Sequence, residues 1–152
     1  MKNVTFIGTG YVGLVSGTGI SDFGHKVTCY DISGEIIESL NKGNMPLYEP
    51  GLEELIKKNT SAGRLFFSND PEVAIKDADV IFIAVGTPMG KDGKADLKYI
   101  ESAASTIGKY LNSYTVICTK STVPIGTGKK IMDIINKSKK NDIAFDYVSN
   151  PE

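Results

Sequence analysis

The stretch VTFIGTGYVG, Val4 to Gly13, decides the fold. Val4, Thr5, Phe6 and Ile7 are all strand formers, and they run straight into glycines at positions 8, 10 and 13. The pattern then changes to a helix-compatible run from Tyr11 to Phe23, in which Ser16, Gly17 and Gly19 are small enough for close packing. A second strand, Lys26 to Tyr30, follows and closes on Asp31. Strand, glycine turn, helix, strand and acid in that order predict the opening unit of a doubly wound α/β domain.

Working outward, short apolar runs keep alternating with longer amphipathic ones. A helix is expected over Ser33–Lys42 with Ser33 as its cap. Another is expected to start near Pro50 and run to about Asn59. Arg64–Ser68 reads as a third strand. DPEVAIKDA reads as a short helix capped by Asp70, with Pro71 at its first position. Asp79–Val85 is the most apolar run and is expected to be a central strand covered on both faces. Gly86–Ala95 is too rich in glycine and proline for regular structure. A long helix is expected after Asp96, a fifth strand over Tyr114–Lys120, a helix from Thr127 and a sixth strand over Phe145–Ser149. Strands separated by helices imply a parallel sheet with helices on both faces, a Rossmann-type dinucleotide-binding domain of about six strands.

At 152 residues the chain is sized for one domain that buries about 70% of its unfolded surface without disulfides or metals. A formal net charge of −1 gives no electrostatic footprint for nucleic acid or an anionic membrane. The basic stretch NKSKKND, Asn136 to Asp142, reads as a solvated helix end. Cys29 and Cys118 lie inside β-branched runs at a spacing that suits neither zinc nor a redox pair, so buried thiols in a reducing cytoplasm are expected. The single histidine, His25, has no second histidine with which to share a metal. The N-terminal apolar run is too short for a signal-peptide core, and no stretch approaches the roughly 20 residues of a membrane span.

The glycines carry the chemistry. Gly8 permits the tight turn, Gly10 lets backbone approach a pyrophosphate, and Gly13 lets the helix sit close to the sheet. The free N–H groups and dipole of that helix then face the phosphates. Asp31 follows Gly8 at about the 20-residue spacing used to accept from ribose hydroxyls, and its carboxylate would repel the extra phosphate of NADP. The expected cofactor is therefore NAD. A glycine-rich turn with a helix-capping aspartate, an FAD site and a methyltransferase share parts of this pattern and stay open on spacing alone. Thr87, Ser121 and Thr122 lie where the nicotinamide half would sit, although serine and threonine favour turns in any case.

Taken together, FIGTGYVGL, YEPGLEEL, DADVIFIAVGTP, ADLKYIE, TKSTVPIGTG and VSNPE occur in the order found in the UDP-glucose 6-dehydrogenase family. The chain resembles that family, part of the wider UDP-glucose/GDP-mannose dehydrogenase group, over essentially its whole length. The resemblance implies NAD-dependent oxidation of a sugar C6 hydroxyl to a carboxylate by two successive hydride transfers, with a cysteine nucleophile holding the aldehyde-level carbon. The sugar nucleotide implied is UDP-glucose, with GDP-mannose or UDP-N-acetylmannosamine as the alternatives. It assigns Gly8, Gly10, Tyr11, Val12 and Gly13 to the NAD loop and Asp31 to the ribose. Val85, Gly86, Thr87, Pro88 and Ser121 match further cofactor contacts. Thr122 matches a threonine that positions the catalytic water, and Glu152 a glutamate with an acid/base role.

Two departures accompany the resemblance. Five residues after the ribose acid the family commonly has Arg or Lys beside the adenosine, and here that position is Ile36. The family's catalytic cysteine, its partner lysine and asparagine, the central helix and the nucleotide-sugar domain lie beyond Glu152. Cys29 and Cys118, placed within strands, cannot replace that cysteine. The expectation is an NAD-binding domain over residues 1–152 that binds NAD without turnover, taken from an enzyme that is a homodimer, largely through its central helix. A stand-alone NAD-binding regulatory module is the alternative.

Overall fold

Phe6 and Phe82 stack ring on ring, with centroids 4.7 Å apart and planes 13° from parallel, and that contact marks the middle of the sheet. The computed structural model describes residues 1–45, 48–90 and 93–151. Along the chain run β1 (Asn3–Ile7), α1 (Tyr11–Asp22), β2 (Lys26–Tyr30), α2 (Gly34–Asn41), α3 (Leu52–Ser61) and β3 (Leu65–Ser68). There follow α4 (Pro71–Ile75), β4 (Val80–Ile83), α5 (Lys98–Tyr110), β5 (Thr115–Thr119), α6 (Thr127–Ser138) and β6 (Phe145–Ser149). The strands form one parallel sheet in the order β3-β2-β1-β4-β5-β6.

Strand side chains alternate between faces, and the core divides accordingly. Val4 and Phe6 of β1, Val27 and Cys29 of β2, and Leu65 and Phe67 of β3 pack with Leu14, Ile37, Leu40, Leu52 and Ile56 of α1, α2 and α3. Ile7 of β1, Ile81 and Ile83 of β4, and Ile117 of β5 pack on the other face with residues of α4, α5 and α6. The sheet is thus a middle layer between two helical ones, as its apolar strands require. Strand order reverses between β1 and β4, which places a crevice at their carboxyl ends.

Local chemistry sets most of the boundaries. Ser33 accepts from the Ile36 N–H at the start of α2. Asp70 accepts from Glu72 and Val73 at the start of α4, with Pro71 in the first position. α3 begins later than its proline suggested, because Gly51, in the left-handed region at φ +79°, is the cap and Pro50 precedes it. Asp79 precedes β4, its backbone still bonded to Asn3 and Val116, and its carboxylate accepts from the Asn3 N–H at 2.8 Å and the Lys2 ammonium at 2.9 Å. Those two donors, Asn3 first, hold its carboxyl below the usual range. The Gly86–Ala95 loop carries one antiparallel bridge, Met89 to Ala95. Cys29 and Cys118 are free, buried thiols.

α1 crosses β2 closely enough that a β-carbon at Gly17 would lie 2.8 Å from Cys29 Sγ and 3.2 Å from the Phe6 ring. Gly17→Ala is expected to destabilise by about 1–3 kcal/mol, and Cys29→Ala in the same chain to restore part of that loss. Urea midpoints of the single and double variants check this; strictly additive losses would contradict it. Burial also pushes the Cys29 thiol up from 9.0 to about 12. A group raised in the folded state contributes stability that is complete below its unfolded value and is lost above it. Unfolding free energy should therefore decline between about pH 9 and 12, and less steeply in Cys29→Ala, as alkaline denaturation curves would report.

Candidate functional site

The crevice is built around the turn that leaves β1. The Gly8 N–H donates to the Tyr30 carbonyl at 2.8 Å, tying the turn to the end of β2. At φ +102° Gly8 occupies the left-handed side of the map, and a β-carbon there would meet the Ala84 carbonyl oxygen at 2.9 Å. A β-carbon at Gly13 would fall 1.9 Å from the Gly8 carbonyl oxygen. Gly10 differs: its backbone is extended and, among the described residues, nothing lies within 4 Å of where its β-carbon would be. The space above Gly10 is open. No side chain caps α1 and its first turn holds no acid, so its N-terminal dipole is left for an anion.

Asp31 faces this turn from the end of β2. One carboxylate oxygen, Oδ2, accepts from the Thr9 N–H at 2.9 Å and the Thr9 hydroxyl at 2.8 Å. The other accepts from the Ser33 N–H at 3.0 Å. Beside it lies a mostly apolar cleft of about 330 Å³ walled by Gly8, Tyr30, Asp31, Ile32, Val85 and a face of α5 that includes Tyr99. Ile32 and Tyr99 expose 82% and 59% of their surface there, a large apolar exposure for side chains that line a concave site. Ile36 is not part of that wall.

A second cleft of about 290 Å³ opens on the other side of the glycine turn. It is lined by Gly10, Tyr11 and Val12, by Val85, Gly86 and Thr87 after β4, and by Lys120, Ser121 and Thr122 after β5. The hydroxyls here are not local turn formers. Ser121 donates to the Val85 carbonyl at 2.6 Å and Thr87 to the Thr122 carbonyl at 3.2 Å, so each clips one loop to the other. Pro88 continues the first loop and is exposed. The Tyr11 hydroxyl reaches Glu49 at 3.2 Å, bringing the segment before α3 to the same rim. The Asn150 N–H donates to the Thr119 carbonyl at 2.9 Å, holding the end of β6 beside β5. Glu152 lies outside the described residues.

The structure therefore gathers Gly8, Gly10, Tyr11, Val12, Gly13, Asp31, Val85, Gly86, Thr87, Ser121 and Thr122 around one crevice. Sequence reasoning missed Thr9, which sits at an unspecified position of the glycine motif. It also missed Lys98, Tyr99, Ser102, Ala103 and Thr106, although their helical spacing marks one face of α5. Among the described residues no group of acids, cysteines and histidine could hold a metal ion, and no helix is long and apolar enough to cross a membrane.

Comparison with known proteins bears on the family and the fold. Residues 2–152 match the UDP-glucose/GDP-mannose dehydrogenase family, NAD binding domain. The chain is 55% identical over 152 residues to the UDP-glucose 6-dehydrogenase TuaD of Bacillus subtilis, covering 100% of this chain and 33% of that protein. It is 48% identical over 151 residues to a UDP-glucose 6-dehydrogenase of Rhizobium meliloti, covering 98% of this chain and 34% of that one. The chain thus spans about a third of the length of the curated relatives it matches. Among solved structures, a UDP-glucose dehydrogenase of Pyrobaculum islandicum superposes with a TM-score of 0.94 at 39% identity, over 100% of this chain and 36% of that one. A GDP-mannose dehydrogenase of Pseudomonas aeruginosa does so at 0.93 and 35%, with the same coverage.

The unequal space at two glycines yields a direct test. Gly13→Ala has backbone in its way and is expected to lower stability by about 2–3 kcal/mol or more. Gly10→Ala should stay within about 1 kcal/mol of the unsubstituted chain. Chemical denaturation of both variants checks the contrast, and equal losses would contradict the packing described.

Proposed function

The chain belongs to the UDP-glucose/GDP-mannose dehydrogenase family as its NAD-binding domain, and on that premise we propose that it holds the cofactor of a UDP-glucose 6-dehydrogenase. The observation that carries the cofactor site is the pairing of the uncapped start of α1, with room above Gly10, and the Asp31 carboxylate across the same turn. The pyrophosphate lies over Gly10, Tyr11 and Val12, where backbone N–H groups and the helix dipole meet it. An adenosine ribose hydroxyl donates to Asp31. The adenine occupies the apolar cleft between Ile32 and Tyr99, which supplies stacking surface in place of the absent basic side chain at Ile36.

The nicotinamide half lies in the second cleft, bounded by Val85, Gly86 and Thr87 on one loop and Ser121 and Thr122 on the other, with Pro88 continuing the first loop beyond that lining. When bound, NAD supplies a hydride acceptor. The chain's own contribution is to orient that end, because the Ser121 and Thr87 bonds draw the two loops together. Thr122 is exposed at the rim, a place suited to ordering a water, and an acid/base role is assigned to Glu152.

UDP-glucose is favoured over GDP-mannose as the substrate by the 55% identity to a UDP-glucose 6-dehydrogenase. The whole protein would then be a cytoplasmic homodimer that oxidises UDP-glucose to UDP-glucuronate with two molecules of NAD. The free, buried Cys29 and Cys118 suit a reducing compartment. Neither serves as the family's nucleophile, since burial raises both thiols and the reactive form is the thiolate.

Calorimetric titration of residues 1–152 should show NAD binding, with NADP bound more weakly. Asp31→Ala should loosen NAD about 10–100-fold, the worth of a hydrogen bond to a charged group, and shrink the preference over NADP. No binding at millimolar NAD would overturn the cofactor assignment. Mixed with NAD and UDP-glucose the chain should give no sustained NADH; continuing turnover would show that the essential groups lie within these residues.

A further inference from the structure

We propose that Thr9 is a positioning residue for cofactor choice, acting through Asp31; this rests on the NAD reading above. A carboxylate offers about four lone-pair sites. Oδ2 of Asp31 is filled by the Thr9 N–H at 2.9 Å and the Thr9 hydroxyl at 2.8 Å. The Ser33 N–H at 3.0 Å takes one site on Oδ1. One acceptor direction remains, on Oδ1, for a ribose hydroxyl.

The two Thr9 bonds differ in kind. The N–H bond belongs to the glycine turn and survives a change of side chain. The hydroxyl bond depends on residue type, and Thr9 is only 3% exposed, so its β-branched side chain has little freedom to leave. The terminal torsion of an aspartate is broad when unconstrained. Holding Oδ2 from two directions removes that breadth and leaves Oδ1 aimed. It also denies the carboxylate the rotation by which it could turn away from a 2′-phosphate. Thr9 therefore sharpens both the acceptance of NAD and the rejection of NADP without touching either.

A simpler role is a tie between the turn and β2, which would weaken NAD and NADP alike; the preference separates the two roles, and a double-mutant cycle tests whether Thr9 acts through Asp31. Thr9→Val keeps the shape and the N–H bond but loses the hydroxyl; Thr9→Ala loses the hydroxyl without the bulk; Thr9→Ser keeps it. By calorimetry on residues 1–152, Thr9→Val and Thr9→Ala are expected to weaken NAD about 5–10-fold and to reduce the preference over NADP. Thr9→Ser should stay within about 2-fold of the unsubstituted chain. In an Asp31→Ala background, loss of the Thr9 hydroxyl should have no further effect on NAD affinity. An unchanged preference over NADP in both hydroxyl-less variants, with or without a loss of affinity, would overturn the proposal. So would an equal loss in the Asp31→Ala background, which would show that Thr9 acts independently of Asp31. Failure of the unsubstituted chain to bind NAD would instead overturn the cofactor reading, and the proposal with it.

Discussion

The Gly8 carbonyl oxygen stands where a β-carbon of residue 13 would have to be, 1.9 Å from it. That contact is what the rest of the structure depends on. It sets how near α1 comes to the end of β1, and so where the first turn of α1 points. Because the approach is backbone on backbone, no rotamer change can relieve a side chain placed there. The same turn carries Gly8 against Ala84, which joins β1 to β4 at the point where strand order reverses. A packing requirement and a binding requirement are therefore met by one set of glycines. Gly10, with neither a positive φ nor a neighbour in the way, serves only the second.

Those two kinds of glycine explain what was legible in the sequence. Strand runs, the Ser33 and Asp70 caps and the glycine turn rest on local rules, and a reader of residues can apply local rules. The start of α3 was misplaced because Pro50 and Gly51 both mark helix starts, and the cap went to the residue able to adopt φ +79°. The site was legible where a motif has fixed spacing, as from Gly8 to Asp31. It was not legible at Thr9 or along α5. Thr9 matters through a partner at the end of another strand. Tyr99 reaches the crevice only because α5 packs across β1 and β4, a consequence of topology rather than of neighbouring residues. Ser121 and Thr87 were visible as hydroxyls near strand ends, but their use as clips between loops needed the fold.

The two halves of the crevice are rigid for different reasons. On the Asp31 side, order comes from a carboxylate saturated on one oxygen and from strand pairing immediately beneath it. On the Thr122 side, the two loops are joined by single hydroxyl bonds, and the second is also tied to the end of β4 by the Lys120 and Ser121 N–H groups on the Ile83 carbonyl. A single neutral hydrogen bond is worth about 1 kcal/mol, enough to bias a loop but not to lock it. The Asp31 side is thus the more firmly held of the two.

Net charge contributes little to this arrangement. A chain of formal charge −1 has no long-range attraction for an anionic dinucleotide, and Asp31 adds a negative charge inside the site. What favours the phosphates is short-range: oriented N–H groups at the start of α1, available because no side chain caps them. Recognition by backbone makes few demands on residue type. Three glycines and one acid suffice, and many unrelated dinucleotide sites can meet them. The fingerprint alone therefore describes a cofactor, whereas the family emerges only from segments such as YEPGLEEL and TKSTVPIGTG. Those segments hold the crevice's rim and loops, where Glu49 meets Tyr11 and Ser121 meets Val85. The specific part of the sequence is the part that shapes the space around the cofactor.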